Sequence, residues 1–482
     1  MRYLVLATCL LVQVAGNAQS TILLGQGIMA GEVTTHSVIL QSRLTQTDTL
    51  VAGDVPGAAG IVCFELSTDS SFTEVFRTPW NAAVAKNDFI IKLPITGLLP
   101  RTRYYYRLRY GLREDQTQLS RVGTFQTLVG AERAEPVRLA LATCMNYALY
   151  YSGRYRGDSA VVPGYAGGRL TGYPALVSIL AQRPDYFISM GDNVYYDRRV
   201  EGQKNAETQS EMRQRWHEQF VQSRYHDLFA RVPTYWEKDD HDYRVDDADP
   251  YLDTLPTHPL GVATFREQVP IVNPYDIDPV TYRTHRISRD VQIWLTEGRD
   301  HRSPNAMPDG PDKTLWGEAQ KAWLKETLLA SDATFKLLIS PTPMVGPDDA
   351  RKSDNHANQK GFRHERDAFF RWLQDNDLLE ENFYVICGDR HWQYHAIDPS
   401  GVEEFSSGAL MDANARLGRR AGDPASTDPK ATVQQPYLQP EASGGYLVVE
   451  VIPTDAGATA TFTHHDEQGV ILYETVKAAS KK

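Results

Sequence analysis

The sequence predicts an α/β domain preceded by a smaller all-β sandwich. Residues 21–127 contain short strands of alternating polarity separated by turn-rich segments, and no helical periodicity of useful length interrupts them. Beyond residue 138, apolar strands alternate with amphipathic segments such as 315–329, whose apolar residues share one helix face. Strands that alternate with helices indicate layers of helices packed on sheets. At 482 residues the chain also exceeds the usual limit of a single hydrophobic core.

The predicted organisation has four parts. Residues 1–18 form a secretory signal, because Arg2 precedes an apolar run that ends in small residues. Residues 19–130 form the sandwich, the polar, proline-terminated segment 131–137 is a linker, and residues 138–478 form the α/β domain. The signal predicts a periplasmic or extracellular protein. No later stretch reaches the roughly 20 apolar residues of a transmembrane segment.

The charge distribution argues against a nucleic-acid-binding surface. The formal net charge is −11, and the basic residues form no sustained tract. Acidic residues are clustered instead, with six aspartates between positions 239 and 249. Such a segment is either a solvated loop or a seat for a hard cation such as calcium. No feature of the sequence specifies an oligomeric state.

Metal-binding side chains follow four predicted strands, at or just beyond the point where each strand ends. Parallel strands bring their carboxyl ends to one edge of a sheet, so we expect these side chains to lie together. The set is large enough for two or three metal ions. Its members are Cys144 after strand 139–143, Asp192 after strand 186–190, Asp239, Asp240 and His241 after strand 234–236, and Asp389 and His391 after strand 382–387.

Three cysteines, Cys63, Cys144 and Cys387, remain after the predicted signal. Three thiols cannot all pair within one chain, and Cys63 lies in an apolar strand where a core position is expected. Cys144 and Cys387 can form a disulfide if their strands are neighbours. The place of Cys144 at a strand end favours a metal ligand over that disulfide.

A polar segment, residues 348–360, is predicted to be a loop rather than a helix or strand. It contains few apolar residues and is long enough to serve as a lid or a substrate loop. Lys352 and Lys360 in this segment could contact an anionic substrate.

Several short motifs give the chain a family resemblance. In the N-terminal part, residues 95–107 resemble a stretch of fibronectin type III-like modules. The strand ends carry the motifs Thr143-Cys144, Gly191-Asp192-x-x-Tyr195, Trp236-x-x-Asp239-Asp240-His241-Asp242 and Gly388-Asp389-Arg390-His391-Trp392. These motifs, in this order and behind the N-terminal stretch, resemble the PhoD-like alkaline phosphatase family of metallophosphoesterases. The resemblance implies a two-sheet β-sandwich flanked by helices, with a fibronectin III/Ig-like sandwich before it.

The resemblance also implies the metals. A ferric ion would be bound by a thiolate, a carboxylate, a phenolate and an imidazole, which suit Fe³⁺, and calcium would be bound by clustered carboxylates. Zn²⁺ or Mn²⁺ is the alternative. Glu237 and Lys238 are inserted after Trp236 relative to the family pattern, so the choice between Asp239 and Asp240 as ligand stays open. The implied iron ligands are Cys144, Asp192, Tyr195 and His391, and the implied calcium ligands are Asp192, Asp239 or Asp240, and Asp389.

The function implied by the resemblance is a secreted, metal-dependent phosphoric ester hydrolase. The metals would polarise the phosphate and hold an attacking hydroxide or bridging oxygen, while His241 protonates the leaving group. Asn146, Arg390 and His395 lie beside the implied ligands and are candidates for contacting the phosphate ester. One alternative is a phosphodiesterase or phospholipase D-like activity on polymers or lipids. Another is a non-catalytic calcium-binding surface protein.

Overall fold

The computed structural model describes residues 22–153, 170–200 and 202–479. The predicted secretory signal, residues 1–18, lies outside the described residues. Across the three described ranges, no helix has both the length and the apolar character needed to cross a membrane. The same ranges contain the α-helices α1 (Tyr147–Ser152), α2 (Pro174–Ala181), α3 (Gln209–Phe220), α4 (Ser223–Phe229), α5 (His258–Gln268), α6 (Gly317–Ala330) and α7 (Arg363–Asp375).

Most of the regular structure is β-strand. The N-terminal third contributes β1 (Ile28–Gly31), β2 (Ser37–Arg43), β3 (Gly60–Ser67), β4 (Phe76–Arg77), β5 (Asn81–Ala83), β6 (Ile90–Thr96), β7 (Arg103–Arg113), β8 (Gln116–Leu119) and β9 (Gly123–Gln126). The middle contributes β10 (Val137–Ala142), β11 (Tyr186–Met190), β12 (Thr234–Glu237), β13 (Arg283–Arg286), β14 (Val291–Leu295) and β15 (Phe335–Ser340). The remainder are β16 (Phe383–Cys387), β17 (Gln393–Ile397), β18 (Glu403–Ser407), β19 (Gln434–Leu438), β20 (Gly445–Thr454), β21 (Gly457–Asp466) and β22 (Ile471–Ala478).

The strands form three sheets. One has nine strands in the order β22-β21-β20-β10-β11-β12-β1-β2-β6, and a second has seven in the order β13-β14-β15-β16-β18-β17-β19. The third is built on β4-β3-β7-β8, with β5 paired to β3 and β9 paired to β7. In the first sheet β10, β11 and β12 run parallel, and in the second β14, β15, β16 and β18 do so. Parallel neighbours end at the same edge, so each of the two larger sheets presents a row of strand carboxyl ends.

The alternation of side chains along the central strands explains how the layers pack. On β10, Leu139 joins the core between the sheets, and the next residue, Ala140, joins a second core shared with helices α2 to α5. On β15, Leu337 joins the same inter-sheet core, and Leu338 joins a third core shared with α6 and α7. Successive strand residues point to opposite faces, so each strand seals two cores. The predicted pair of sheets flanked by helices is confirmed.

The N-terminal module departs from the prediction of a separate sandwich. Its strands β1, β2 and β6 extend the nine-stranded sheet, because β1 pairs in parallel with β12 at Gly31 and Thr234. The backbone amide of Glu32 continues this contact by donating to the carbonyl of Thr234 over 3.1 Å. A carboxylate oxygen of Glu32 also accepts from Arg283 on β13 at 2.6 Å. The six-stranded sheet therefore packs on a sheet that the α/β domain shares; the boundaries 19–130, 131–137 and 138–478 stay predictions.

Candidate metal centre

Three strand ends turn sharply to present a side chain at the edge of the two sheets. Cys144 after β10, Asp192 after β11 and Asp389 after β16 have φ angles of 57°, 56° and 62°. Residues other than glycine adopt this left-handed region rarely and at a cost, so their surroundings must hold them there. All three turns serve side chains of metal-binding type.

Two glycines allow the strand ends to approach closely. A Cβ atom at Gly191 would lie 2.6 Å from the Cβ of Asp239, and Gly191 itself has φ +87°. A Cβ atom at Gly388 would lie 2.5 Å from the carbonyl oxygen of Met190 and 2.7 Å from that of Pro341. No side chain fits in either space. Glycine is therefore required by packing both before Asp192 and before Asp389, in addition to being part of the two sequence motifs.

The first ligand group contains a thiol, a carboxylate and an imidazole. One ligand atom from each of Cys144, Asp192 and His391 lies within 4.8 Å of the other two. The Sγ atom of Cys144 is 3.4 Å from Oδ2 of Asp192, and the hydroxyl of Tyr195 donates to the same oxygen over 3.0 Å. Asn414 donates from its side chain to the Tyr195 hydroxyl at 3.2 Å and to the Cys144 carbonyl at 3.0 Å. All five side chains are buried.

Carboxylates form further groups that share members with the first. The sets Asp192-Asp240-His241 and Asp239-Asp240-Asp389 each meet the same 4.8 Å criterion. Asp192 thus belongs to two groups, and Asp240 links the second to the third. A run of shared ligands is the arrangement expected when adjacent ions are bridged. Asp240 also forms a more exposed group with Asp246 and Asp247.

The buried polar atoms at this edge fit cation binding. Oδ2 of Asp239, Oδ1 of Asp240 and Nδ1 of His391 are buried and have no hydrogen-bond partner. Burial raises the pKa of Asp192 to about 7, with a further increase from Asp240, although His241 opposes it. Burial together with Arg416 and Arg390 lowers the pKa of His391 well below its usual value, which keeps the imidazole neutral as a ligand requires. A bound cation would neutralise the crowded carboxylates and would coordinate the buried oxygen and nitrogen atoms that have no hydrogen-bond partner.

His241 is a member of the second ligand group and is held by a carboxylate outside all of the groups. Its Nδ1 atom is 2.7 Å from Oδ1 of Asp197, and its ring stacks on Tyr195 with 4.1 Å between centroids. Burial lowers the pKa of His241, but Asp240, Asp192 and Asp197 outweigh burial and raise the pKa to about 10. The Nε2 side of the imidazole faces Asp240 and Asp246, at 4.0 and 3.6 Å.

Comparison with known proteins shows which family has this sequence pattern. Residues 139–459 match the family described as PhoD-like phosphatase, and residues 12–129 match its N-terminal domain. The chain belongs to the PhoD-like phosphatase family. The resemblance inferred from the strand-end motifs is thereby confirmed.

The PhoD-like family assignment agrees with individual relatives. Alkaline phosphatase D of Bacillus subtilis (strain 168) is 22% identical over 406 residues, which span 76% of this chain and 64% of that protein. The solved structure of PhoD aligns with a TM-score of 0.73 at 18% identity, covering 95% of this chain and 90% of that one. A purple acid phosphatase, PPD1 from yellow lupin (Lupinus luteus) seeds, aligns with a TM-score of 0.59 at 10% identity, covering 93% and 73%. These structures share the fold.

The PhoD-like chain brings nearly all of the sequence-predicted site residues to one place. The eight that meet at the edge are Cys144, Asp192, Tyr195, Asp239, Asp240, His241, Asp389 and His391. Among the three candidates for substrate contact, Asn146 uses its side-chain oxygen to cap α1, accepting from the amide of Leu149 at 3.1 Å.

His395 and Arg390 are both engaged by other side chains. Both ring nitrogens of the buried His395 are occupied, with Glu403 at 2.8 Å and the hydroxyl of Tyr473 at 3.1 Å. The Arg390 guanidinium is paired with Asp348 at 2.6 Å and with Asp389. His395 lies in β17, which begins two residues after His391, whereas Arg390 stays beside the ligand Asp389. Substrate contact by either residue stays a prediction.

The alternative of a Cys144–Cys387 disulfide is excluded by the topology. β10 lies in the nine-stranded sheet and β16 in the seven-stranded sheet, so the two strands are not neighbours. Both thiols are free and buried. The Sγ atom of Cys387 lies 3.4 Å from the hydroxyl of Tyr394, among the side chains packed under α6 and α7.

Sequence reasoning missed three residues that hold the ligands: Asp197, Arg299 and Asn414. Asp197 ends the motif that supplies Asp192 and Tyr195, and its acidic character near His241 was an available signal. Arg299 follows β14 at the same sheet edge, so a search of strand ends for cations as well as ligands would have found it. Asn414 lies in a short turn that no pattern marks.

Proposed function

We propose that this chain is a metal-dependent phosphoric ester hydrolase. The observation that carries the proposal is the run of ligand groups that share Asp192 and Asp240 and end against His241. Membership of the PhoD-like phosphatase family and the alkaline phosphatase D relative support the same class of reaction. The pattern of residues 1–18 supports export to the periplasm or the extracellular space.

The donor chemistry supports two kinds of cation. The thiol of Cys144, the phenol of Tyr195 and the imidazole of His391, with Asp192, suit Fe³⁺. The all-carboxylate group suits Ca²⁺, and both Asp239 and Asp240 would serve it, because each has a buried oxygen without a partner. When bound, such cations polarise phosphoryl oxygens and lower the pKa of water.

The chain's own residues would position the ester and move the proton. His241 would be the proton donor to the leaving oxygen, since it shares a group with Asp192 and Asp240 and the neighbouring carboxylates outweigh burial and raise its pKa. Asp197 fixes the imidazole through Nδ1, which leaves Nε2 as the atom that can face the substrate. The ring of Tyr195 packs on the other side of His241 and restricts its tilt.

The test is hydrolysis of chromogenic aryl phosphates by the His241→Gln variant. A monoester and a bis-aryl diester are assayed together, so that phosphatase and phosphodiesterase activity are distinguished. Glutamine is polar and close in size to histidine but cannot donate a proton as an acid, so kcat should fall on the order of 100- to 10,000-fold, the usual contribution of acid–base catalysis.

The matched control is His217→Gln. His217 is also buried between carboxylates, with Nδ1 2.5 Å from Asp54 and Nε2 2.7 Å from Asp88, but it lies on α3, away from the ligand groups. The folded fraction of the His217→Gln protein should keep wild-type specific activity. Full activity in His241→Gln would remove His241 from the mechanism, and a metal-loaded wild-type protein inactive on both esters would overturn the proposed function.

A further inference from the structure

Each outer carboxylate of the proposed calcium group is paired with a buried arginine. Arg299 donates from Nε to Oδ1 of Asp239 over 2.7 Å, its Nη2 lies 2.6 Å from the same oxygen as an ion pair, and both side chains are fully buried. The other oxygen of Asp239, Oδ2, belongs to the buried atoms without a partner. Arg390 pairs through Nη2 alone with Oδ2 of Asp389, a carboxylate that is partly buried. The arginines thus contact one oxygen of each carboxylate.

The two arginines are held from behind by one segment. Asp354 lies 3.3 Å from Nη2 of Arg299, and Asp348 accepts from Nη1 of Arg390 at 2.6 Å. Asn355 and Asn358 each donate from the side-chain amide to Oδ2 of Asp348, over 2.9 and 2.8 Å. Both aspartates lie in the polar segment 348–360, which was predicted to be a lid or substrate loop.

Residues 354–358 of that segment form an internal support, while a lid or substrate role for its exposed remainder stays a prediction. Residues 354–358 are almost wholly buried, although they belong to no helix or strand. Their polar side chains bond to one another and to the arginines rather than to solvent. A low content of apolar residues is therefore compensated by buried ion pairs. The segment fixes both arginines relative to the edge of the sheets.

Charge balance shows what the arginines contribute. Asp239 and Asp240 are buried, Asp389 is partly buried, and all three are within reach of one cation. Such carboxylates without nearby positive charge would be strongly destabilising. Arg299 and Arg390 supply two positive charges that stay in place whether or not a cation is bound. Nη2 of Arg299 is also 3.7 Å from Oδ1 of Asp240.

We propose that Arg299 and Arg390 are positioning residues that neutralise Asp239 and Asp389 from behind and leave one oxygen of each for the cation. The proposal rests on the proposed function, because it assigns a cation to this group. Its consequence is that the edge of the sheets stays folded without its cation. Loss of either arginine would transfer the neutralising role to the cation.

The test is the calcium dependence of thermal unfolding. Wild-type, Arg299→Met and Arg299→Lys proteins are purified in calcium chloride, and Tm is measured in calcium and after dialysis against a chelator. The gain in Tm from calcium should be several degrees larger in Arg299→Met than in wild type. Arg299→Lys keeps the charge and should show a gain close to that of wild type.

The matched control is Arg244→Met. Arg244 is an equally buried arginine, but its guanidinium donates to the backbone carbonyls of Asp249, Leu252, Thr254 and Pro256. Its loss should lower Tm equally with and without calcium.

The outcomes separate the two proposals. An equal fall in Tm with and without calcium for Arg299→Met, matching Arg244→Met, would overturn the positioning role and leave the hydrolase intact. A large calcium gain in Arg299→Lys would overturn the charge argument. Absence of any cation-dependent gain in the wild type, with calcium, zinc or manganese, would overturn both the cation group and the role of Arg299. If the Arg299→Met protein folds in calcium but does not fold without calcium, the expected result is obtained in its strongest form.

Discussion

Individual residues at the edge of the sheets were predictable when a ligand side chain directly followed an apolar run. Cys144, Asp192 and Asp389 satisfy this rule, and each has the positive φ that turns its side chain into the site. Residues that act on the ligands were harder to find. Asp197 and Arg299 follow strand ends and could have been listed as candidates, but their roles depend on partners that lie 44 and 60 positions away in the sequence.

The role of the Cys144 thiol as a metal ligand can be tested with a second buried thiol, Cys387, as the control. Cys144→Ser is expected to lose the metal of the first group with the fold retained, because a hydroxyl is a much weaker ligand than a thiolate. Elemental analysis and visible absorption of the purified protein measure the loss. Cys387→Ser changes an equally buried thiol at the end of β16 and should keep the metal. Unchanged metal content in Cys144→Ser would refute the thiolate ligand.

Among the secondary-structure elements, the central strands were predicted well because each is a short, nearly continuous apolar run, as expected when both faces of a strand are buried. In β10 and β15, successive residues pack in turn on the opposite sheet and on helices. The burial of residues 354–358, within the polar segment 348–360, was not predicted. Their polar side chains satisfy one another inside the protein, and composition alone cannot distinguish that from exposure to solvent.

The end of β16 makes a close approach that a single methyl group should disrupt. In Gly388→Ala the new Cβ would meet two backbone carbonyl oxygens, of Met190 and Pro341, at 2.5 and 2.7 Å, and backbone cannot move aside cheaply. We expect unfolding stability to fall by about 2 kcal/mol or more, the range for overpacked cores, and activity to fall with it. Urea denaturation and ester hydrolysis measure the two effects.

Gly298→Ala is the control for Gly388→Ala. Gly298 follows β14 at the same edge, and an added Cβ there would be no closer than 3.6 Å to its nearest neighbour, Leu315. We expect near-wild-type stability. A tolerated Gly388→Ala would show that the sheets can separate at this edge without loss of the site.

The assembly of the entire chain was predicted least well. Strand patterns in residues 21–127 correctly indicated a β-rich module, but they carry no information about which sheet each strand joins. The structure pairs β1 with β12 and places residues of the module and of the α/β domain in one core between the sheets. Arg283 and Glu32 add an ion pair across the same junction. Such long-range pairing has no local signature.

Removal of residues 1–130 is therefore expected to prevent folding of the α/β domain. It would remove β1 from β12 and expose the edge of β12, the last of the parallel strands β10, β11 and β12, along with much of the shared core. Expression yield, solubility and circular dichroism of the truncated chain test this. Removal of β22 is the control, because that strand lies at the far edge and is largely exposed, so the protein should stay folded. A stable, active truncated chain would restore the picture of two independent domains.

The pairing of β1 with β12 also has a consequence for the order in which the chain folds during synthesis. Gly31 and Thr234 are 234 − 31 = 203 positions apart, so a ribosome must add those residues before β1 can find its partner. At typical elongation rates of about 5–20 residues per second, the wait lasts on the order of 10–40 seconds. Through that interval the side of β1 that faces β12 in the folded protein has no partner strand. A holding chaperone would have its best opportunity to bind there.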